Sequence, residues 1–435
     1  MAAGLIVAAP SSGSGKTVLT LALLRALARA GKRVASFKVG PDYIDPAYHT
    51  AASGRVCRNL DLWAMRPDTF AAVARDAAAD AELMIGEGVM GLFDGALDGS
   101  GATADVAALL GLPVILVIDV KGQGASVGAL VRGFRDHRSD ITIGGVILNR
   151  VGSETHRSIL RQACEDLVPV VGMVPRDERL ALPERHLGLV QAMERPRLDA
   201  FLDAAADLVA RHVDLEKLAG IARLPHLGAP LPAAAPLKPL GQRIAVASDA
   251  AFAFVYPAVL DAWRRAGAEI LPFSPLADEG PDTTADAVYL PGGYPELHAA
   301  QLEASDRFMS GLRAAAARDA AIFGECGGFM VLGEELIDTE GEHHRMAGLL
   351  PVATSIGSPR LHLGYRRFTL AHDGPLGRSG DVFRGHEFHY ARLVRQRGTP
   401  LFHASDAAGR YFGPFGAVVG RVCGSFLHVI DRETA

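Results

Sequence analysis

A chain of 435 residues is long enough for two or three compact domains. Hydrophobic residues make up 49% and charged residues 21%, with 48 Gly and 25 Pro, a balance that excludes extensive disorder. Its 44 Lys and Arg against 49 Asp and Glu give a formal charge of -5, so no global basic field exists for nucleic acid or an anionic membrane, and a small-molecule partner is expected.

Met1 to Pro10 is apolar, lacks the basic start of a signal peptide and runs into a glycine-rich loop, so Leu5–Ala9 is expected as a first strand. Lys16–Ala30 then carries apolar residues at helical spacing and is followed by a candidate strand, Val34–Val39. Further strands are expected at Leu83–Gly86, Val114–Asp119, Gly145–Asn149 and Val170–Val174, with helices over the Ala-rich Ala71–Ala81, Ala125–His137 and Ala204–Ala210. This alternation predicts an α/β domain with a parallel sheet covered by helices. The apolar run Ala107 to Val120 is shorter than the roughly 20 residues a bilayer needs and is broken by Gly111 and Pro113, so no membrane span is expected.

Between 224 and 242 five prolines remove backbone donors and forbid a continuous helix, which marks a linker between domains at 1–223 and 243–435. A second α/β pattern begins at Arg243–Ala247 and continues through Val288–Leu290 and Ala321–Phe323 to a last strand at Ala417–Val422. Cys57, Cys164, Cys326 and Cys423 lie far apart with no C-x-x-C pair. Neither a zinc cluster nor a disulfide framework is indicated, and a reducing cytoplasm fits.

The first strand is followed by Pro10-Ser11-Ser12-Gly13-Ser14-Gly15-Lys16-Thr17 and then a helix, the context a phosphate loop requires. Glycines let backbone N–H groups curl around phosphate oxygens, Lys16 would reach the β/γ-phosphates and the Thr17 hydroxyl would ligate Mg²⁺. The usual first glycine is Pro10 here. Two later segments follow candidate strands, Lys38-Val39-Gly40-Pro41-Asp42-Tyr43-Ile44-Asp45 and Glu87 to Gly95. In an open α/β sheet the carboxyl ends of strands face one crevice, so Lys38, Asp42, Asp45, Glu87 and Asp94 should converge near Lys16. Asp beside Gly or Pro is equally a turn former, most of all for Asp94. Asp119 could serve as a partner of a magnesium-bound water. Asn149 sits where a side-chain amide could read adenine or simply cap a strand.

In the second half, Ala321 to Met330 reads as strand, tight turn and helix with Cys326 at the turn, an elbow that exposes a nucleophile at a helix N-terminus and lowers a thiol pKa. A base is then needed. His428, just beyond the terminal strand, is one candidate; His386 and His389, in what reads as a substrate-contact loop or domain interface, are its rivals. Their H-x-x-H spacing lacks the helix of an H-E-x-x-H metal site. Leu290 to Glu296 offers free backbone N–H groups at Gly292 and Gly293, which an oxyanion hole needs.

Taken together, APSSGSGKT, KVGPDYIDP, EGVMGLFDG, LPGGYPE, GECGGFM, GHEFHY and the terminal GSFLH resemble the cobyrinic or hydrogenobyrinic acid a,c-diamide synthases of cobalamin biosynthesis, over nearly the whole chain. The first half is similar to dethiobiotin-synthetase-type ATPases and the second to class I glutamine amidotransferases. The resemblance implies an ATP-dependent ligase that amidates two carboxylates of a corrinoid ring. Ammonia would come from glutamine hydrolysed at Cys326 and would attack an acyl phosphate in the other domain. It implies Cys326 as nucleophile, His428 as its base, and Gly292, Gly293 and Gly327 around the oxyanion. Ser12, Gly13, Ser14, Gly15, Lys16, Thr17 and Asn149 would bind nucleotide, and Lys38, Asp42, Tyr43, Asp45 and Asp94 would face the corrinoid. Thr17, Glu87 and Asp45 would hold Mg²⁺. A homodimer is compatible with it. Triad amidotransferases follow their histidine with Pro-Glu, whereas Val429-Ile430 follows here, which implies a Cys–His dyad. Rivals are relatives acting on another tetrapyrrole, nickel-sirohydrochlorin a,c-diamide synthase or cobyric acid synthase, and, in a different class, a partitioning ATPase. The last would carry an extra lysine where Ser11 stands.

Overall fold

A computed structural model describes residues 2–177, 180, 184–185, 188–228 and 235–433. Residues 229–234 of the expected linker lie outside the described residues. The chain divides into two compact units, Met1–Trp63 with Phe70–Pro232, and Ala64–Thr69 with Ala233–Ala435.

The first unit contains β1 (Ala3–Ala8), α1 (Lys16–Arg29), β2 (Val34–Val39), α2 (Asp45–Ser53), β3 (Arg58–Leu60), α3 (Pro67–Ala78, which begins in the second unit), β4 (Leu83–Glu87), α4 (Thr103–Leu110) and β5 (Val114–Asp119). It continues with α5 (Val127–Asp136), β6 (Ile143–Val151), α6 (Glu154–Cys164), β7 (Val170–Pro175), the short pair β8 (Glu184–Arg185) and β9 (Gly188–Leu189), α7 (Leu198–His212) and α8 (Leu215–Ile221). Seven strands form one parallel sheet in the order β3-β2-β4-β1-β5-β6-β7. The central strands β1, β4 and β5 are buried almost throughout, which is why they read as continuous apolar runs. Every strand expected in this half is present within two residues of its expected ends; β3, β8 and β9 are additional, and the Arg-Asn-Leu of β3 has no apolar periodicity to betray it.

The second unit contains β10 (Arg243–Ala247), α9 (Pro257–Arg265), β11 (Glu269–Phe273), β12 (Ala287–Leu290), α10 (Ala299–Glu303), α11 (Asp306–Ala317), β13 (Ala321–Glu325) and α12 (Gly327–Leu332). After these come β14 (Glu335–Ile337), β15 (His343–Arg345), β16 (Val352–Ser355), β17 (His362–Leu370), β18 (Val382–His389), β19 (Arg392–Gln396), β20 (Phe402–Asp406), β21 (Tyr411–Phe415), β22 (Ala417–Val419), β23 (Val422–Ser425) and β24 (Leu427–Arg432). Its main sheet runs β11-β10-β12-β13-β23-β22, parallel except at the β22/β23 edge. Phe252, Phe308, Phe329, Leu290 and Leu332 pack into the core beside it.

Two departures from expectation matter for the site. The last strand, expected as one run over Ala417–Val422, is a hairpin: Gly420 adopts φ 58, a left-handed turn, and β22 and β23 pair antiparallel on either side. His428 therefore lies within β24, which belongs to a separate five-stranded antiparallel sheet, β21-β20-β17-β18-β24. GHEFHY is likewise strand, not loop, filling the end of β18. The short segment Ala64–Thr69 joins the second unit through Arg66, whose backbone N–H and guanidinium both donate to the buried Asp431 at 2.8 and 3.0 Å.

Candidate functional site

Three neighbouring strands, β2, β4 and β1, end side by side and deliver Lys38, Glu87 and the loop from Pro10 to Thr17 to one place. Gly13 and Gly15 take φ 81 and 85, values that a Cβ would strain. A Cβ on Gly15 would also collide with the Asn149 side chain. Ser14 closes the loop from inside, its hydroxyl donating to Ser11 O at 2.9 Å. The loop walls a cavity of about 470 Å³ with Lys16, Thr17, Lys38, Asp42, Asp45 and Arg150, and Ser12 and Gly13 lie exposed on its rim.

Glu87 is the hub. Its Oε1 accepts from Thr17 Oγ1 at 2.6 Å, Lys38 Nζ at 2.9 Å and Lys16 Nζ at 3.1 Å, while Oε2 meets His49 Nε2 at 2.6 Å. Asp45 pairs closely with Lys38 and lies 3.4 Å from the Thr17 hydroxyl. Asp42 is 3.9 Å from Lys38 and accepts the N–H groups of Ile44 and Asp45, which fixes the first turn of α2. Burial would raise Glu87, but Lys38, Lys16 and His49 hold its carboxyl well below the usual range. Lys38 stays above its ordinary value against burial because Asp45, Glu87 and Asp42 surround it. Burial, together with Asp42 and Glu87, pushes Asp45 up to about 6 although Lys38 opposes it. His49, which burial alone would depress, is raised to about 10 by Cys57 and Glu87. Sequence reasoning missed His49; its signal was the i,i+4 spacing from Asp45 on α2.

The other expected residues of this half behave differently. Asp94 is exposed and is not part of this network of bonds; its Oδ2 accepts Gly91 N–H at 2.8 Å, the turn-forming alternative. Tyr43 is half-buried between Asp42 and Ile44. Asp119 pairs with Arg150 at 2.5 Å. Asn149 lines a second cavity of about 470 Å³ with Gly15, Lys121 and Pro175, but its amide is occupied: Nδ2 donates to Ser14 O at 2.9 Å and Oδ1 accepts Arg150 N–H at 3.0 Å.

In the second unit, Cys326 stands between β13 and α12 at φ 47, ψ -104, a strained conformation for a residue with a side chain. The glycines on both sides are required by contact: a Cβ on Gly324 would lie 2.8 Å from the backbone of Gly328, and one on Gly327 2.7 Å from Pro295 and 3.1 Å from Gly293 N. Gly292 is the gap through which the pair meets, since a Cβ there would lie 2.7 Å from His428 Cε1 and 3.3 Å from Cys326 Cβ.

The expected lowering of the thiol pKa is not found. Burial raises it above its ordinary value, with the carboxyls of Glu296, Glu325 and Glu387 adding to the shift, and the Gly327 N–H of a six-residue helix is too weak an opponent. His428 is buried and held well below its usual value by that burial and by His386 and His389. His386 stacks on His428 at 4.8 Å, meets Tyr256 OH at 3.0 Å and is pushed down to about 3 by burial. The two histidines of GHEFHY thus diverge, as strand alternation demands. His389 meets Glu387 at 2.9 Å and stacks on His362, and these three could gather ligand atoms within 4.8 Å; the Glu387 carboxylate already carries the Arg366 guanidinium at 2.8 Å. Glu325, not singled out from the sequence, is buried beside Cys326. It accepts from Tyr289 OH at 2.6 Å and Val429 N–H at 2.9 Å, and burial pushes it up to about 7. Cys57, Cys164 and Cys423 are free and buried, and burial pushes Cys423 up to about 12.

Comparison with known proteins matches both halves. Residues 5–190 fit the CobQ/CobB/MinD/ParA nucleotide binding domain, and residues 243–435 the CobB/CobQ-like glutamine amidotransferase domain. Hydrogenobyrinate a,c-diamide synthases from Brucella abortus and Rhizobium meliloti are each 54% identical, covering 98% of this chain and 98% and 99% of their own. The enzyme of that name from Rhodobacter capsulatus is 53% identical over 98% of both chains. With a phosphate loop anchored on Glu87 in one unit and a strained Cys326 against His428 in the other, the chain belongs to the family of hydrogenobyrinate a,c-diamide synthases.

Proposed function

We propose that the chain converts the a and c carboxylates of hydrogenobyrinic acid to amides, with ATP and L-glutamine as co-substrates. The observation that carries this reading is the Cys326–His428 pair closed over Gly292, a glutaminase site in the same chain as a phosphate loop. In the second unit the Cys326 thiol loses its proton to His428 as sulfur attacks the glutamine carboxamide. Ammonia leaves, and water then releases glutamate from the thioester. The N–H groups of Gly292, Gly293 and Gly327 are the candidates to hold the oxyanion.

In the first unit the corrinoid carboxylate attacks the γ-phosphate, ADP leaves, and ammonia then adds to the acyl carbon of the acyl phosphate and expels inorganic phosphate to give the amide. Lys16 would turn from Glu87 to the phosphates. The oxygens of Thr17, Glu87 and Asp45, with Thr17 Oγ1 at 2.6 Å from Glu87 and 3.4 Å from Asp45, form an all-oxygen donor set that fits Mg²⁺. When bound, the ion would neutralise phosphate charge. Lys38, paired with Asp45 and Glu87, stays charged, holds Glu87 ionised and opposes the upward shift of Asp45. The proposal includes a cytoplasmic location and a homodimer.

Mass spectrometry of products made with ATP, Mg²⁺ and glutamine tests it, using hydrogenobyrinic acid, cobyrinic acid and nickel-sirohydrochlorin in separate reactions. Two carboxyl-to-amide conversions on hydrogenobyrinic acid are expected. Reaction of the nickel compound alone, or glutamine hydrolysis with no amidated ring, would overturn the substrate assignment.

A further inference from the structure

The histidine of the glutaminase pair has no acid two residues after it, since Val429 and Ile430 follow His428. The imidazole must hold the proton of the thiol while it is itself stripped of water, and burial already disfavours its charged form. An acid is nonetheless present, supplied from another strand. We propose that Glu325, the residue before the nucleophile, is the positioning acid of the glutaminase site, turning the Cys326–His428 pair into a triad whose members come from β13 and β24.

The geometry supplies three supports. Glu325 Oε2 lies 4.0 Å from His428 Nδ1, the nitrogen that a base directing its other nitrogen at sulfur would turn to its orienting partner. The carboxyl is fixed on both oxygens: Tyr289 OH on β12 donates to Oε2 at 2.6 Å, and the N–H of Val429, next in chain to His428, donates to Oε1 at 2.9 Å. Glu325 is 2% and His428 0% exposed, so solvent does little to screen the charge. A separation of 4.0 Å is too long for a hydrogen bond, and such contacts commonly tighten when substrate engages the site.

The order of residues explains the arrangement. β13 ends at Glu325 and the elbow at Cys326 follows at φ 47, so the acid and the nucleophile of this proposal are consecutive residues meeting one histidine of β24. The other titratable groups around the pair are His386, stacked on His428; His389 and Glu387, which act from β18; Glu296, which acts on the thiol; and Tyr256, bonded to His386. Of the carboxylates among them, Glu387 is engaged by His389 and Arg366, whereas Glu325 faces the His428 ring nitrogen.

This inference rests on the glutaminase reading above. The test is the rate of Cys326 carbamidomethylation by iodoacetamide as a function of pH, read by peptide mass spectrometry on the full chain. Glutamine- and ammonia-supported amidation are measured beside it. In the wild type, reactivity should rise as Glu325 ionises, around its raised pKa of about 7. In Glu325→Gln the rise near pH 7 should be lost, leaving only ionisation of the thiol itself at higher pH, and glutamine-supported amidation should fall by about 10²- to 10⁴-fold. Ammonia-supported amidation does not use this site and reports folding of the chain. A purely structural role for Glu325 would lower the melting temperature and leave the alkylation profile in place, and a superimposable profile overturns the proposal. If Glu325→Gln does not fold, Tyr289→Phe decides: losing the hydroxyl that stabilises the carboxylate should shift the rise upward by a few tenths of a unit, about 3-fold in rate at fixed pH, and no shift overturns the proposal. A wild-type chain that never hydrolyses glutamine would instead overturn the glutaminase reading itself.

Discussion

The two sites use opposite electrostatics. Around Glu87, two lysines, a histidine raised to about 10 and two further acids lie together, and the charges of Glu87, Lys38 and His49 are maintained by their neighbours against burial. Around Cys326 the opposite holds: burial pushes the thiol up, the imidazoles of His428 and His386 down, and the Glu325 carboxyl to about 7, so these four groups tend to their neutral forms. A charged, preassembled pocket suits a polyanionic nucleotide and a carboxylate, because lysines already held in place need little reorganisation to meet phosphate. A neutral, dry pocket suits a thiol that should ionise only when a substrate arrives.

The widest separation between the two follows from removing one group in each. Cys326→Ala should reduce glutamine-supported amidation by more than about 10³-fold and leave ammonia-supported amidation within about twofold. Lys16→Ala should reduce both by about 10²- to 10³-fold, since phosphoryl transfer is common to the two nitrogen sources. Initial rates with glutamine or ammonium chloride as donor check both. Loss of the ammonia reaction in Cys326→Ala would mean that the sites do not divide the chemistry in this way.

The contrast is unevenly legible in the sequence. The phosphate-loop unit can be read closely, because parallel strands buried on both faces leave near-continuous apolar runs and the sheet rule sends their carboxyl ends to one crevice; Lys38, Asp42, Asp45 and Glu87 meet Lys16 as that rule requires. Asp94 does not join them, since an Asp beside glycine satisfies its own turn first. In the second unit the strand–turn–helix at Cys326 is readable from GECGG, but its surroundings are not. The strands β17 and β18 carry Arg, His and Glu at intervals that look like loop, and only the cross-strand register sets His386 against His428. Glu325 is hidden for a related reason: its neighbour in sequence is the more conspicuous thiol, and its neighbour in space arrives 103 residues later, at the strand holding His428.

A smaller effect sharpens the contrast by testing space instead of charge. Gly292→Ala would place a methyl 2.7 Å from His428 Cε1 and 3.3 Å from Cys326 Cβ, and the ring cannot retreat easily because His386 stacks on its face. Glutamine-supported amidation should fall by about 10- to 100-fold, since small displacements of a catalytic pair are costly. The ammonia-supported rate should be kept, while the overpacking should lower stability by about 1–3 kcal/mol. An unchanged glutamine rate would show that Gly292 does not mark the closest approach of the pair.

The smallest expected effect belongs to Asn149, where the phosphate-loop unit depends on neutral hydrogen bonds. Its amide ties Ser14 O in the loop to the backbone of Arg150, which sits at φ 63. Asn149→Ala removes both bonds and leaves the buried Ser14 O and the half-buried Arg150 N–H to find other partners, a cost of about 1–2 kcal/mol. Lys16, Thr17 and Glu87 remain in place, so the chemical step should survive. The apparent KM for ATP should rise by about 3- to 10-fold, equally with glutamine and with ammonia, while the turnover rate at saturating ATP stays within about twofold. If turnover at saturating ATP dropped by about 100-fold instead, Asn149 would move from support of the loop to contact with the reacting nucleotide, and an effect confined to glutamine would break the separation between the two sites.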